Sequence, residues 1–389
     1  MKLIVIGLGQ CGGRIADEFA RLNGKARSQR GIEIVIGAYA VNTDIADLSG
    51  LSRIKPDYEH RILIGGRKTG GHGVGKINEL GAEVAKEDAD KVIDAIRNTK
   101  RLAEADAFLL IAGSAGGTGS GSIPIMTQYI KERFIDKPVY NLTVLPFEHE
   151  EQTEERTIYN AATSLKSCFL VADAVFLVDN QRYISKDASL LYNISKINGM
   201  IVEPFYNLLC AGEEKKSKYI GAKVLDAGDI IQTLVGLTII GHSSAHLSFF
   251  KSLFQRTRDF RKKVDENQKG VQAMDEAISR LSMQANPVDA SRALYLISAP
   301  AKEMNVDMIK ELGMHLKMIA PESIIRSGDY PRDRGAIDVS LILSELSNIP
   351  KINTYFERTV NLISTLQKRR DGIDYDSAFE ALNDIPSLL

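Results

Sequence analysis

The 389-residue sequence is poor in cysteine, lacks tryptophan and has no long apolar run. Its three cysteines, Cys11, Cys168 and Cys210, are far apart in the chain, which argues against a disulfide framework and a cysteine-rich zinc site. No stretch approaches the roughly 18 apolar residues that cross a bilayer. The apolar start runs directly into glycines, unlike the core of a signal peptide. We therefore expect a cytoplasmic protein without direct membrane insertion.

An excess of charge of either sign is also missing. Lysine and arginine total 49 and aspartate and glutamate 50, so the formal net charge is -1. A chain with this balance offers no basic field for a nucleic-acid backbone and no broad patch for anionic lipid, so we expect no nucleic-acid partner. At about 150 residues per domain, the length indicates two or three domains.

Glycine, by contrast, is concentrated in three short segments. Residues 7–13, 65–75 and 113–121 hold 15 of the 31 glycines. Each segment follows an apolar run, LIVI, ILI or AFLLIA. A run that is apolar at every position is typical of a strand buried on both faces of a parallel sheet. The glycine loops are therefore expected at the carboxyl ends of buried strands, where α/β proteins bind ligands.

Helical patterns alternate with these strands over the first 180 residues or so. Pro124 is expected near the start of its helix, where a missing N–H costs least. The order of elements predicts an α/β fold with a doubly wound parallel sheet in an N-terminal domain, residues 1–186. The remaining strands are predicted at 34–41, 139–145 and 174–178, and the helices at about 76–98, 123–134 and 153–170.

The second half of the chain has a different pattern. A long central helix is predicted at about 187–210, and it leads into a polar connector that ends at 222. A C-terminal α+β domain is expected over 223–370, followed by a tail at 371–389. Its predicted elements are helices near 229–240, 271–283 and 303–312 and strands at 294–299 and 336–343.

The first two glycine loops are each ambiguous. Residues 7–12 fit G-x-G-x-x-G between a strand and a helix, which also suits an NAD-binding unit with Glu33 on the ribose. The second loop has Gly75-Lys76 four residues after Gly70, close to a P-loop. Ile77 follows where a P-loop needs Ser or Thr to hold magnesium, which argues against that motif.

The third loop indicates a polyphosphate. Residues 113–121 read GSAGGTGSG, with five glycines and three hydroxyl side chains between a buried strand and a helix. Oriented backbone amides and a helix N-terminus would meet the negative charge, and a metal ion would supply the rest. The structural alternative is a flexible turn, which this glycine density between strand and helix disfavours.

With this loop, the sequence resembles the tubulin/FtsZ family. AGGTGSG at 115–121 is one residue away from the GGGTGSG signature of that family, and the other motifs follow in the family's order over about residues 1–240. Together with the short C-terminus, they are most similar to the archaeal CetZ branch. The resembling motifs are GQCG at 9–12, NTD at 42–44, GGRKTGGHGVGKINELG at 65–81, VDN at 178–180 and VLDAGD at 224–229.

The resemblance implies a set of residues that bind a guanine nucleotide. Loop one would contact the α- and β-phosphates, loop three would hold the phosphate tail, two asparagines would read guanine, and a glutamate would bind the ribose. Mg²⁺ would be held mainly by the phosphates, and no protein ligand for it is assigned. The implied residues are Gln10, Cys11, Gly12, Gly13, Arg14, Asn42, Asp44, Gly71, Gly116, Gly117, Thr118, Gly119, Glu150, Asn180 and Asn198.

Several of these residues have plainer interpretations. Cys11 has no histidine nearby in the sequence to activate a thiol, so a lining role is favoured. Asn193 lies on the same predicted helix as Asn198, which leaves the helix register open. Glu150 stands in a charge-dense stretch that also suits a solvated loop. The arginine that follows at fixed spacing in FtsZ is missing, and Arg156 would need a two-residue insertion to replace it.

The resemblance also implies the catalytic residues. Asp226 and Asp229 would enter the GTP site of the next subunit and polarise the attacking water. The structural alternative is a helix cap with a first-turn acid. Val224 replaces the usual asparagine of this loop, a departure that predicts slower hydrolysis.

The expected function is that of a GTP-hydrolysing cytoskeletal protein that forms a longitudinal homopolymer, with a role in cell shape. The alternatives are a division-ring protein of the FtsZ type, a GTP-binding regulator without hydrolysis, and an NAD-dependent oxidoreductase.

Overall fold

A single twisted sheet organises the part of the chain that the structure describes. The computed structural model describes residues 1–184, 190–246, 260–304 and 306–371. In these residues ten strands pair in the order β3-β2-β1-β4-β5-β6-β7-β10-β8-β9. The strands are β1 (Leu3–Leu8), β2 (Val35–Asn42), β3 (Arg61–Leu63), β4 (Ala107–Gly113), β5 (Val139–Leu145), β6 (Ala174–Asp179), β7 (Gly236–His246), β8 (Ala290–Ser298), β9 (Ile324–Asp329) and β10 (Ala336–Leu346).

Helices cover both faces of this sheet. Alternate residues of β1 enter opposite cores: Ile4 and Ile6 pack on one face, and Leu3 and Val5 on the other. The helices are α1 (Gly9–Arg30), α2 (Ile45–Ser49), α3 (Gly66–Thr69), α4 (Asn78–Glu87), α5 (Ala89–Arg97), α6 (Thr118–Arg133), α7 (Glu148–Thr153), α8 (Glu155–Val171), α9 (Leu190–Ala211), α10 (Ala227–Thr233), α11 (Phe260–Ser279), α12 (Val306–Ile319) and α13 (Pro350–Asp371).

The predicted doubly wound fold is confirmed. Strands β1 to β7 are parallel to their sheet neighbours within this half, and the order β3-β2-β1-β4-β5-β6 reverses direction between β1 and β4. The C-terminal α+β part continues the same sheet, because β7 pairs in parallel with β6 and antiparallel with β10. No helix in the described ranges is long and apolar enough to cross a membrane.

Three predicted helices were wrong in their extent. The helix predicted at 76–98 is two helices, α4 and α5, which meet at Asp88, whose carboxylate accepts a hydrogen bond from the Gly65 N–H at 2.7 Å. Helix α6 begins at Thr118, so Pro124 lies in its interior. The helix predicted at 229–240 ends at Thr233, and Gly236, with φ of 59°, leads into β7.

The remaining C-terminal predictions were closer. Helices α11 and α12 and strands β8 and β10 occupy the predicted regions with shifted ends, whereas β9 and α13 had no predicted counterpart. The domain boundary at 186/187 remains a prediction. The tail predicted at 371–389 lies outside the described residues except for Asp371, as do residues 187–189 of the predicted central helix.

Candidate functional site

A cleft of about 380 Å³ opens at the carboxyl ends of the parallel strands, where the strand order reverses. This is the position at which doubly wound sheets bind ligands, and the volume is that of a small-molecule site. Most residues implied by the resemblance line it, while Gly12, Gly13 and Gly71 do not. The implied residues in the lining are Gln10, Cys11, Arg14, Asn42, Asp44, Gly116, Gly117, Thr118, Gly119, Glu150, Asn180 and Asn198.

Two helix N-termini converge on this cleft. Helix α1 begins at Gly9 and α6 at Thr118, and neither has a side-chain cap or an acidic residue in its first turn. The first backbone N–H groups of both helices therefore lack a side-chain acceptor, and both helix dipoles are positive at this end. Such an arrangement attracts an anion and offers it hydrogen-bond donors.

The two loops that start these helices touch each other. A Cβ at Gly9, which has φ of +69°, would lie 2.8 Å from the Gly119 nitrogen. Gly12 is packed as closely against β4, because a Cβ there would lie 2.0 Å from the Ile111 carbonyl oxygen. Glycine is thus required at Gly12 for packing below the cleft, and at Gly9 for contact between the loops.

A buried amide joins the second and third glycine loops. Asn160, which is fully buried on α8, donates through Nδ2 to the Lys76 carbonyl at 2.9 Å and to the Ala115 carbonyl at 3.0 Å. The Thr118 and Thr43 hydroxyls share a buried hydrogen bond of 2.6 Å. The loops therefore form a connected wall of the cleft.

Lys76 is a lining residue that the sequence reasoning missed. Its backbone φ is +61°, and its Nζ lies 2.6 Å from a Glu154 carboxylate oxygen. The sequence signal that could have identified Lys76 was the near-match to a P-loop, in which a lysine follows the last glycine and contacts phosphate. The second loop is also held by the Thr43 carbonyl, which accepts from the Gly73 N–H at 3.1 Å.

The far end of the cleft carries the two asparagines. Asn180 follows β6, and Asn198 projects from α9, where it is buried. The Asn193 side chain lies outside the described residues. Apolar lining from Phe147, Ile194 and Ile197, which the sequence reasoning also missed, surrounds this end.

Acidic side chains in the cleft lining are oriented by hydrogen bonds. Glu150 accepts from the Phe147 N–H at 2.9 Å, and Asp44 caps α2 by accepting from the Asp47 N–H at 3.1 Å. Asp47, a further missed lining residue, accepts from Gln10 Nε2 at 2.5 Å and from Asn42 Nδ2 at 3.1 Å. These contacts fix the orientation of the three carboxylates.

The Cys11 thiol is expected to be a poor nucleophile in this setting. Burial raises the pKa of its thiol to about 12, so the group is protonated at neutral pH. No histidine is present among the described residues that line the cleft.

Asp226 and Asp229, the implied catalytic residues, do not line the cleft. Asp226 caps α10 by accepting from the Asp229 N–H at 2.9 Å, and Asp229 pairs with Arg326 Nη1 at 2.9 Å. Helix α10 leads into Gly236, which pairs with Ala174 at the amino end of β6. The acids are thus near the edge of the sheet opposite to the cleft.

Helix α9 connects these two ends of the molecule. Asn198 faces the cleft, whereas the Leu209 carbonyl accepts from the Met1 amine at 2.9 Å, at the start of the sheet. Just beyond α9, a Cβ at Gly212 would lie 3.1 Å from the Asp226 Cα. The helix rises about 1.5 Å per residue, so the acids are about 20 Å from the Asn198 end of the cleft.

The structure does not place Glu33, the residue expected to bind the ribose of NAD, in the cleft. Glu33 forms ion pairs with Arg27 and Arg101 and is not among the cleft residues. Arg156 is also outside the lining, because it donates to the Lys76 carbonyl at 3.1 Å and pairs with Glu79.

Comparison with known proteins agrees with this geometry. The family model "Tubulin/FtsZ family, GTPase domain" matches residues 2–186, and "Tubulin-like CetZ, C-terminal domain" matches residues 187–361. The tubulin-like protein CetZ1 of Haloferax volcanii is 34% identical over 369 residues, 90% of each chain. The chain belongs to the tubulin-like CetZ family. CetZ of Pyrococcus horikoshii is 31% identical over 256 residues, 65% of this chain and 64% of its own.

Solved CetZ structures share the whole fold. GDP-bound monomeric CetZ1 from H. volcanii superimposes with a TM-score of 0.79 at 30% identity, covering 93% of this chain and 99% of its own. CetZ2 from the same organism, solved as a GTPγS-bound protofilament, gives 0.80 at 29% identity, with 94% and 100% covered. An FtsZ from M. jannaschii, at 21% identity and a TM-score of 0.67, shares the fold over 89% of this chain and 91% of its own.

Proposed function

We propose that this CetZ-family chain binds GTP and GDP, hydrolyses GTP and assembles head to tail into cytoplasmic filaments that take part in cell shape control. The observation that carries this proposal is the convergence of two uncapped helix N-termini and two asparagines on one cleft. The amide ends suit phosphate. An asparagine amide can offer one donor and one acceptor to a guanine edge.

The rest of the cleft fits the remaining parts of the nucleotide. One oxygen of Glu150 accepts from the Phe147 N–H, and the carboxylate retains acceptor capacity for the ribose hydroxyls. Arg14 and Lys76 bring positive charge to the phosphates. No group of three acidic, histidine or cysteine side chains in the described part of the chain could hold a metal ion, so Mg²⁺ would be held mainly by the phosphates, whose charge it would neutralise.

Hydrolysis would require two subunits. Asp226 and Asp229 cannot reach the nucleotide of their own chain, but head-to-tail stacking would place them against the cleft of the next subunit. There the carboxylates would orient and polarise the water that attacks the γ-phosphorus, while the amide loops stabilise the charge on the phosphoryl oxygens. A heterologous contact of this kind repeats without closing, as a filament requires.

The surface around the acids is suited to such a contact. Val224, two residues before Asp226, is 43% exposed, and Ile324, two residues before Arg326 on the edge strand β9, is 67% exposed. Because Arg326 pairs with Asp229, these apolar side chains flank the acids on one surface. Burial of exposed apolar groups would favour the stacked state. The GTPγS-bound protofilament of CetZ2 from H. volcanii supports this mode of assembly.

The testing experiment measures GTP turnover per molecule as a function of protein concentration. We expect the rate to rise steeply when filaments form, and Asp226→Ala to bind GTP and assemble with turnover reduced by about a hundredfold or more. Asp94→Ala, on the exposed face of α5, serves as the matched control and should keep the full rate.

Other outcomes separate the alternatives. A rate that is constant from dilute to polymerising concentrations would favour a self-contained monomeric GTPase. GTP binding and assembly without turnover in the unmodified chain would favour the non-hydrolysing regulator, for which Val224 provides a reason. Localisation of a fluorescent fusion, with the shape of deletion cells, would separate shape control from a division ring.

A further inference from the structure

A second cavity, of about 430 Å³, lies away from the nucleotide cleft. It is lined by the end of α1, by the second half of α9, by Tyr219 in the segment after α9, and by residues of the C-terminal strands and their loops. The two cavities share no lining residue. The lining residues that matter for its chemistry are Lys25, Arg30, Tyr206, Tyr219, Arg332 and Asp338.

Two arginines from distant parts of the chain meet in this cavity. Arg30 and Arg332 each donate to the Tyr330 hydroxyl at 3.2 Å, so their guanidinium nitrogens are no more than twice that distance apart. Arg30 also lies 4.0 Å above the Tyr206 ring, and Arg332 4.2 Å above the Tyr219 ring. The aromatic faces hold both cations in place.

The negative charge around these arginines is already engaged. Glu214, whose side chain is 2% exposed, pairs with Arg332 at 3.0 Å. Glu203 pairs with Lys25 at 3.0 Å, Asp333 pairs with Lys218 at 3.0 Å, and Asp338 has Arg334 at 3.7 Å.

Arg30 is left without a carboxylate. Its donors reach the Tyr330 hydroxyl and Asn207 Oδ1, at 2.8 Å, and no acidic side chain of the described chain lies within ion-pair distance. Of the two adjacent guanidinium groups, only that of Arg332 has a carboxylate partner, so the charge of Arg30 is not met by an ion pair within the described chain.

We propose that this second cavity binds a small organic anion, a phosphorylated or carboxylated molecule that also carries hydroxyl groups. The anionic group would lie between Arg30 and Arg332, because guanidinium groups bind phosphate and carboxylate through paired hydrogen bonds. The hydroxyl groups would bind at the other end, where Ser298, His242 and Asp338 line the wall. One Asp338 carboxylate oxygen is buried there without a hydrogen-bond partner in the described chain.

A ligand in this position would touch α1, α9 and the C-terminal strands together. It would therefore hold the N-terminal and C-terminal parts together. Because it would bind only the folded chain, it would raise the unfolding free energy as its concentration rises above its dissociation constant. The proposal does not depend on GTP hydrolysis.

The test uses the full chain saturated with GDP, so that the nucleotide cleft is blocked. Glucose 6-phosphate and inorganic phosphate are the probes and glucose is the neutral control, with binding followed by calorimetry and by the thermal unfolding midpoint in chloride buffer. We expect both anions to raise the midpoint. Arg30→Met should weaken glucose 6-phosphate binding by about tenfold or more, since a charged hydrogen bond is lost.

Matched variants distinguish a binding site from a structural cluster. Arg27→Met removes the same charge from the same helix at a side chain that is 61% exposed, and should bind the probe like the unmodified chain. Glu214→Gln removes the competing carboxylate and should tighten binding, while Arg30→Lys keeps the charge and should bind with intermediate affinity.

The proposal is overturned if neither anion binds at up to about 10 mM, a concentration that detects even weak complexes. It is equally overturned if Arg30→Met, Arg332→Met and Arg27→Met bind glucose 6-phosphate alike. If Arg30→Met does not fold, the opposite changes expected for Arg30→Lys and Glu214→Gln decide the question.

Discussion

At the scale of single residues, the cleft depends on hydrogen bonds that hold its glycine loops in place. Asn160 joins the second and third glycine loops through carbonyls of residues 76 and 115, and the Thr43–Thr118 hydroxyl pair joins the second strand to the third loop. A loop of glycines has no side chains to hold its shape, so its order comes from such neighbours.

Asn160→Ala should therefore weaken both the fold and nucleotide binding. Loss of the buried amide leaves loop carbonyls without a donor, at a cost of about 1–3 kcal/mol in unfolding free energy. GDP affinity should fall by about tenfold as the loops lose their alignment. Urea denaturation and GDP titration measure the two effects. Asn98→Ala, exposed at the end of α5, is the control. Unchanged GDP affinity in a stable Asn160→Ala protein would contradict the positioning role.

Cys11 should be dispensable for catalysis and slow to alkylate. A thiol with a pKa of about 12 leaves only about one molecule in ten thousand ionised at pH 8. Because the folded pKa is raised, the alkylation rate of the GDP-free chain by iodoacetamide should increase as pH rises toward 12. Peptide mass spectrometry measures modification at Cys11, with the urea-unfolded chain as the reactive reference. Cys11→Ala should keep GTP turnover within about twofold. A folded Cys11→Ala variant that binds GDP but does not turn over GTP would restore the thiol hypothesis.

At the scale of elements, helices α4 and α6 pack at very short distance next to the third glycine loop. A Cβ at Gly121 would lie 2.0 Å from the Asn78 carbonyl oxygen, and one at Gly81 would lie 2.3 Å from the Gly117 carbonyl oxygen. The glycines of the third loop signature thus serve helix packing as well as the ligand. This second use explains why the glycine pattern continues into the first turns of α6.

Gly121→Ala should destabilise the chain despite the higher helix propensity of alanine. The added methyl group forces α4 and α6 apart, at a cost of about 1–3 kcal/mol. Gly24→Ala, inside α1 with open space around its Cβ position, should instead stabilise by about 0.5–1 kcal/mol. Denaturant titration of both variants gives the comparison. Equal stability changes for the two glycines would show that the α4–α6 contact adjusts freely.

At the scale of the whole molecule, the continuous sheet and α9 set the distance between the nucleotide and the acids. The cleft is at the carboxyl edge of the parallel strands, and Asp226 is near their amino edge. The molecule is therefore built with the two halves of the proposed GTPase site on opposite ends. The ion pair between Arg326 and Asp229 keeps this carboxylate at the end of the molecule away from the cleft.

Mixing two inactive variants should recover activity if the site is shared. Asp226→Ala keeps an intact cleft, whereas Gly117→Val with Thr118→Val should disrupt the third loop, since a Cβ at Gly117 would lie 2.6 Å from a Val74 side-chain carbon. In an equal mixture about a quarter of the unmodified turnover is expected, because half the subunits hold GTP and half of those have a neighbour with Asp226. Turnover is measured by phosphate release, with each variant alone as the control. No gain on mixing, when sedimentation shows that the two variants form filaments together, would contradict the shared site.

The sequence by itself determined the parallel sheet, the three glycine loops and the family. Apolar runs and glycine clusters are local signals, and a backbone cradle for phosphate is encoded in a few consecutive residues. Twelve of the implied binding residues line the cleft. Most of them belong to segments that follow a parallel strand or begin a helix, whereas Asn198 lies inside α9.

Only the tertiary structure decided the rest. Residues 236–240 were predicted as the end of a helix, yet they begin β7 because β6 and β10 offer hydrogen-bond partners on both sides. The roles of Asn160, Asp47 and Lys76, and the meeting of Arg30 with Arg332, join residues that are far apart in the chain. Such contacts have no local pattern, since they depend on how the sheet brings distant segments together and on which polar groups it buries.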